Sequence, residues 1–195
     1  MSRALFIVDV QNDFTEGGAL AVVGGDAVAQ RISDYLGEHA GEYALIIASR
    51  DWHDPDSDNG GHISEAPDFV DTWPVHCVAE SFGAEYDPGF DFSAVSHHVK
   101  KGQGVPAYSL FEGTTDEGQS VAALLDEHGV LSVDVTGLAT DHCVRASAID
   151  AIEHGRRVRI FTDLVAGVAP ASSEAALAEL AHAGAELDES GSSEI

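Results

Sequence analysis

Short apolar runs rich in β-branched residues alternate along the chain with stretches whose apolar residues recur at helical spacing. The apolar runs predict strands over Ala4–Val10, Tyr43–Ser49, Val95–Lys101, Val130–Val135, Arg156–Val165 and Ala185–Leu187. Strands and helices that alternate over short connections are typical of a parallel sheet with right-handed crossovers. We therefore predict an α/β fold, a three-layer, doubly wound parallel sheet with helices on both faces.

Four stripes of apolar residues predict the helices. Glycines close the first three, near Gly41, Gly129 and Gly155, and Ser172 or Ser173 supplies the N-cap of the last. The stripes run over Val28–Leu36, Val121–Leu125, Val144–Ile152 and Leu177–Leu180. In a sheet of this kind ligands bind beyond the carboxyl ends of the strands, so the functional side chains are expected there.

Regular patterning stops between Arg50 and Asp91, where Asp, Gly, Pro, His and aromatic residues are frequent. A loop of this length is usually functional rather than a mere connector. No linker or internal repeat divides the chain, so we expect one domain over residues 1–195. The polar tail, residues 190–195, is expected to fray.

Composition narrows the classes of partner. The chain has 195 residues, 44% of them apolar, and a formal net charge of −25 from 34 acidic and 9 basic residues. So negative a surface argues against nucleic acid or an anionic membrane as partner and favours a small uncharged or cationic ligand. Two cysteines are too few for a disulfide framework, and no apolar stretch approaches membrane-spanning length. We expect reduced thiols and a cytoplasmic location.

Cys143 lies where the fourth predicted strand runs into a helix, so we place it in the first turn of that helix. Unpaired N–H groups and the helix dipole at such a position favour a thiolate, which is a nucleophile. The alternative interpretation is a small buried thiol packed beneath the helix.

Asp9 and Lys101 resemble Cys143 in position, because each lies near the carboxyl end of a predicted parallel strand. A doubly wound sheet would bring the three together as base, cation and nucleophile, the set that covalent acyl transfer requires. A hydrogen-bonded core acid and an edge lysine are the alternative. Lys100 competes with Lys101, and we choose Lys101 because side chains alternate along the strand and Gly102 follows it.

The irregular loop carries a carboxylate and three imidazoles, which are ligand types for a borderline divalent metal. The residues are Asp51, His53, His62 and His76. One ion is expected, zinc first, with iron or manganese as alternatives. A solvated, histidine-bearing loop is the competing interpretation.

Five short motifs occur in the order in which a known family carries them. They are Val8–Phe14, Asp51–His53, Trp73–Cys77, Lys101–Gly102 and Gly137–Val144. Together they resemble the nicotinamidase/pyrazinamidase branch of the isochorismatase-like cysteine hydrolases, over nearly the whole chain. Two features depart from the family: Thr15 stands where many relatives carry another cysteine, and His53 and His62 are further apart than in some members.

The resemblance implies an isochorismatase-like fold and the hydrolysis of nicotinamide to nicotinate and ammonia. It makes Asp9, Lys101 and Cys143 the catalytic residues. It makes the metal ligands Asp51, His53, His62 and His76, with the ion also holding the pyridine nitrogen of the substrate.

The resemblance also implies how the substrate is held. A cis peptide at Leu138–Ala139 would turn the N–H groups of Ala139 and Cys143 into an oxyanion hole. Phe14 and Trp73 would wall the aromatic ring.

The function we expect is therefore an amidohydrolase that acts on nicotinamide, and on pyrazinamide, through a cysteine thioester. One alternative is a related hydrolase of a carbamoyl or ureido amide, against which the three histidines argue. Another is a metal-binding or nucleotide-binding module without catalysis, although Gln11–Asp13 occupies the turn where a Gly-rich phosphate loop would lie. The partner is a small molecule, and the sequence leaves both a monomer and a homo-oligomer open.

Overall fold

The computed structural model describes residues 2–191, and within them six strands form one sheet flanked by four α-helices. The strands are β1 (Arg3–Val8), β2 (Leu45–Asp51), β3 (His97–Lys101), β4 (Ser132–Leu138), β5 (Arg157–Ala166) and β6 (Glu186–Asp188). The helices are α1 (Gly25–His39), α2 (Val121–Glu127), α3 (Arg145–Glu153) and α4 (Pro170–His182). None of the helices in the described range has the length and apolarity needed to cross a bilayer.

All strand pairs are parallel, and the strand order is β3-β2-β1-β4-β5-β6. The chain leaves β1 toward one edge, through β2 and β3, and then returns to the other side of β1 with β4. This reversal opens a crevice beyond the carboxyl ends of β1 and β4, where ligands bind in open α/β sheets. The predicted doubly wound parallel sheet is confirmed.

Both faces of the sheet are covered, which explains the uninterrupted apolar run of the first strand. Ala4, Phe6 and Val8 pack on the side that holds α2, α3 and α4, whereas Leu5 and Ile7 pack against α1. The core therefore lies in two layers, and a polar residue at the end of a strand reaches the crevice instead of either layer.

Two details of the helices differ from the sequence prediction. Cys143 lies in a five-residue π-helical turn, Thr140–Val144, and α3 begins only at Arg145. We call Thr140–Val144 the cysteine turn. The N-cap of α4 is Ala169, not Ser172 or Ser173, because Pro170 takes the first helical position that proline favours.

The end of the chain is only partly described. Ser190, which we expected to fray, is anchored: its backbone N–H and its hydroxyl both donate to the Asp163 carboxylate. The rest of the predicted tail, residues 192–195, lies outside the described residues.

Candidate active site

Asp9 directly follows β1 and is completely buried, with a left-handed φ of 47°. The hydroxyl of Ser49, near the end of β2, donates to its Oδ1 at 2.7 Å. Its Oδ2 lies 2.9 Å from Nζ of Lys101 but receives no well-directed hydrogen bond from the described residues. Burial raises the pKa of Asp9 above its usual range; Lys101 opposes that shift and Asp51 adds to it. Oδ1 of Asp9 is thus held by the Ser49 hydroxyl, whereas Oδ2 keeps a lone pair that can accept a proton.

Lys101 is the last residue of β3, and its ammonium is buried between two carboxylates. Nζ contacts Asp51 as well as Asp9, and it lies 3.6 Å from Sγ of Cys143. Burial alone would lower the pKa of Lys101, yet the two carboxylates hold it well above its usual range. The side-chain alternation that favoured Lys101 over Lys100 is confirmed, since Lys100 pairs with Asp116 at the surface.

Cys143 brings its sulfur to the same point from the cysteine turn. Ligand atoms of Asp9, Asp51 and Cys143 all lie within 4.8 Å of one another. Burial raises the pKa of the Cys143 thiol well above its usual range, and Lys101 only partly offsets this. Desolvation and two nearby carboxylates thus oppose the thiolate that we expected at a helix start, and the sulfur lies in the π-helical turn ahead of α3 instead of in the helix itself.

The backbone ahead of the sulfur has the expected form. The Leu138–Ala139 peptide is cis, and the carbonyl of Ala139 accepts hydrogen bonds from the N–H groups of His142 and Val144. Ala139 and Cys143 both line the same cavity. The cysteine turn is thus hydrogen-bonded to Ala139, the residue that joins it to β4.

The three histidines of the irregular loop meet beside this cluster. Their ring nitrogens approach within 4.8 Å of one another, and Nε2 of His53 lies 3.2 Å from Nε2 of His76. Oδ2 of Asp51 lies 3.7 Å from His53 and 3.8 Å from His76, while Oδ1 contacts Lys101. Asp51 therefore joins the histidine group to the Asp9–Lys101–Cys143 group.

Backbone pairing within the loop builds this group. His53 pairs with the strand-like segment at Cys77, since the N–H of His53 donates to the Cys77 carbonyl at 2.9 Å. Trp73 donates its N–H to the carbonyl of His62 at 2.9 Å. Residues that are far apart in the loop are thereby placed side by side.

The donor set fits a divalent metal ion. Nδ1 of His53 donates to the Gly102 carbonyl and Nδ1 of His76 to the Pro74 carbonyl, which leaves both Nε2 lone pairs facing Asp51. Burial beside the other two imidazoles lowers the pKa of His62 to about 4, so that ring is neutral, as a ligand must be. The Lys101 ammonium holds the pKa of Asp51 well below its usual range despite burial. A second buried carboxylate beside a single ammonium leaves negative charge that a divalent ion would offset.

Gly102 is required by the ring of His53. It adopts a φ of +78°, and a Cβ there would lie 2.7 Å from Cε1 of His53. The glycine after the buried lysine therefore allows the histidine ring to pack against its backbone.

A cavity of about 570 Å³ opens over both groups. Cys143, Asp51, His62 and His76 are among its lining residues, whereas Asp9 and Lys101 are buried and do not line it. Phe14 and Trp73, the predicted ring walls, both line it as well. The cavity therefore offers apolar walls, one thiol and a possible metal position to a small aromatic ligand.

Several site residues were not predicted as such. Gln11 bridges two elements, since its side chain donates to the Asp51 carbonyl and accepts from the Asp51 N–H. Ser49 fixes Asp9, and the hydroxyl of Tyr108 accepts a hydrogen bond from Trp73 at 2.9 Å. His142 stacks near Tyr108 and lines the cavity. Gln11 and Ser49 lie at or near strand ends, a position that could have indicated them from the sequence. No spacing in the sequence indicates Tyr108.

Comparisons with known proteins show which proteins this chain is similar to. A family described as the isochorismatase domain matches residues 3–190. A nicotinamidase/pyrazinamidase of Mycobacterium tuberculosis is 48% identical over 185 residues, which is 95% of this chain and 97% of the relative. The crystal structure of a pyrazinamidase of Pyrococcus horikoshii in complex with zinc has a TM-score of 0.81 and 36% identity, covering 97% of this chain and 99% of that one. That of PnC1 from L. infantum in complex with nicotinate has a TM-score of 0.81 and 33% identity, covering 97% and 93%.

Proposed function

This chain belongs to the isochorismatase family and is a hydrolase, and from that premise we propose that it converts nicotinamide to nicotinate and ammonia, with pyrazinamide as a second substrate. One observation carries the proposal. The Cys143 thiol faces a cavity lined by aromatic residues, with a buried acid and a buried ammonium behind the sulfur and a histidine group beside it.

The first half of the reaction forms a thioester. Asp9 takes the proton of the Cys143 thiol on its available oxygen, and the sulfur attacks the carboxamide carbon. Asp9 then gives this proton to the departing nitrogen, which leaves as ammonia.

The second half consumes a water molecule. Asp9 removes one proton as the water oxygen attacks the thioester carbon, and it returns that proton to sulfur as the carboxylic acid leaves. The acid then loses its own proton to solvent and becomes nicotinate. Lys101 stays charged throughout and keeps both carboxylates in place. The N–H groups of Ala139 and Cys143 serve as donors to the carbonyl oxygen in both tetrahedral intermediates.

Asp51, His53, His62 and His76 would hold the divalent ion, with zinc as the first candidate. When bound, it supplies a coordination position for the nitrogen of a pyridine or pyrazine ring. Phe14 and Trp73 lie on the cavity wall and hold the faces of that ring. These residues orient the ring so that the carboxamide meets the sulfur.

Ammonia release by the purified protein tests the proposed function. We expect nicotinamide and pyrazinamide each to yield ammonia and the matching carboxylate in equal amounts, and an N-carbamoyl amino acid to yield none. Turnover of the carbamoyl compound alone would favour the related carbamoyl hydrolases instead. No ammonia from any of these amides would overturn the assignment.

A further inference from the structure

Asp141 belongs to the cysteine turn, two residues before Cys143, but its carboxylate reaches across to another element. Oδ1 accepts the N–H of Val168 at 3.0 Å, and Oδ2 accepts the N–H of Ala169 at 3.2 Å. The hydroxyl of Ser172 donates to Oδ2 as well. All three partners lie where β5 passes into α4.

Helix α4 has no side-chain cap of its own. Its N-cap is Ala169, and the hydroxyls of Ser172 and Ser173 donate to the Ala169 carbonyl rather than accept from the first free N–H groups. A helix start normally needs an acceptor at this place, and a carboxylate also suits the positive end of the dipole. Asp141 supplies a carboxylate at this place from a different part of the chain, and it accepts the N–H groups of Val168 and of the N-cap residue Ala169.

The fit between the two segments is close. Gly167 lies beside the carboxylate, and a Cβ at this position would be 1.9 Å from Oγ of Ser173 and 3.0 Å from Oδ1 of Asp141. Burial opposes ionisation, yet the hydrogen bonds from Ser172, Val168 and Ala169 lower the pKa of Asp141 below its usual value. The cap is therefore a charged one at neutral pH.

The capped segment is also a wall of the cavity. Val168, Ala169 and Ser172 line it together with Asp141 and Cys143. A displacement of the cysteine turn relative to α4 would therefore alter the direction of the sulfur and the shape of the cavity at once.

We propose that Asp141 is a positioning residue, which caps α4 from the cysteine turn and thereby fixes Cys143 and the cavity wall in one arrangement. This inference rests on the proposed function, since its main readout is nicotinamide turnover. Asp141 acts through the backbone it holds and takes no part in proton transfer.

The experiment separates positioning from simple helix capping. Asp141→Ala removes the link and the cap together, whereas Asp141→Ala combined with Ala169→Ser restores a local cap without the link. We expect Asp141→Ala to lower kcat by about 10²-fold and to lower Tm, because small misplacements of a reacting group cost about that much. In the double variant Tm should recover while kcat stays low. Ala169→Ser alone is the reference for the double variant, and Glu174→Ala, an exposed acid on the same helix, is the matched control.

Recovery of kcat along with Tm in the double variant would overturn the proposal, as would an unchanged kcat in Asp141→Ala. If Asp141→Ala fails to fold, Asp141→Asn keeps one oxygen for Val168 and should show a smaller kcat loss in a folded protein, at nearly unchanged KM. A wild-type kcat in Asp141→Asn would then count against the proposal.

A second readout needs no substrate. Alkylation of Cys143 by iodoacetamide, followed by mass spectrometry, should slow by about tenfold in Asp141→Ala and remain slow in the double variant. If the wild-type protein hydrolyses no nicotinamide, the proposed function fails, and the alkylation rates decide the positioning role by themselves. Equal rates in all variants would contradict it.

Discussion

At the scale of single residues, the site depends on two carboxylates and one ammonium that are almost completely removed from water. Asp9, Asp51 and Lys101 are each at most 2% exposed, so each charge depends on the other two. Breaking a buried pair leaves an uncompensated charge, which costs far more than losing a surface contact. The role of each cysteine also depends on its surroundings, because only Cys143 contacts this charged cluster.

Cys143→Ala should abolish turnover, whereas Cys77→Ala should keep most of it. Cys77 is fully buried, its Sγ lies 3.9 Å from the Gly83 carbonyl, and its N–H donates to Asp13. Steady-state kinetics on nicotinamide with both variants provides the comparison. Ordinary hydrolysis by the Cys143 variant, or loss of turnover only in the Cys77 variant, would remove Cys143 as the nucleophile.

Asp9→Asn should lower kcat by about 10²–10⁴-fold, the usual worth of a general acid–base group, because an amide cannot carry the proton. The fold should survive, since Ser49 can still donate to the remaining oxygen. Kinetics and thermal unfolding are measured on the same preparation. A wild-type rate for Asp9→Asn would place the base elsewhere.

Lys101→Met removes the cation from the same buried cluster. It leaves Asp9 and Asp51 facing each other without a cation, so we expect a loss of about 3–5 kcal/mol in the free energy of unfolding. Asp9→Asn, which removes a charge instead of exposing one, should destabilise the protein less.

At the scale of elements, the sequence predicts strand ends better than loops. Asp9, Lys101 and Cys143 could be brought together from sequence because each follows an apolar run whose direction is known. Tyr108 could not, because its place depends on how two irregular loops pack against each other. The predicted N-cap of α4 was wrong for a related reason: the carboxylate that accepts the N–H groups just ahead of this helix belongs to Asp141, in a distant turn that local spacing does not reveal.

The irregular loop that carries the three histidines leads to a prediction about metal removal. Chelation should raise the KM for nicotinamide by about tenfold or more, because the ring nitrogen loses its ligand position. Benzamide, which has no ring nitrogen, should be a poor substrate with and without metal. His76→Ala should reproduce the stripped protein, and His182→Ala, an exposed histidine on α4, should not. Benzamide cleavage as fast as nicotinamide cleavage would contradict a positioning role for the ion.

The Asp141 cap predicts a pH dependence of stability. Its pKa is lower in the folded protein than in the unfolded chain, so it stabilises the fold above the unfolded value, about 3.9, and loses that effect as pH falls through the lowered one. The difference in free energy of unfolding between wild type and Asp141→Asn should be full above about pH 5 and shrink below about pH 4. Denaturant titrations at several pH values measure it. A difference that grows on acidification would contradict a charged cap.

At the scale of the whole molecule, the site is a property of the sheet order. Its residues come from the ends of β1, β2, β3 and β4 and from the loop after β2, and only the reversal between β1 and β4 brings them to one crevice. A formal charge of −25 surrounds a cavity whose walls are mainly apolar and aromatic. Such a surface suits the uncharged amide of the proposed reaction and repels its anionic product, which would favour release of the carboxylate.

The central claim is that nicotinamide is cleaved through a thioester on Cys143, and hydroxylamine tests it most directly. Hydroxylamine attacks thioesters in competition with water, so nicotinohydroxamate should form at the expense of nicotinate while ammonia release continues. The Cys143→Ala variant should form none of the three products. Nicotinate that appears together with ammonia but never gives way to hydroxamate, or hydroxamate made equally well by Cys143→Ala, would contradict the account.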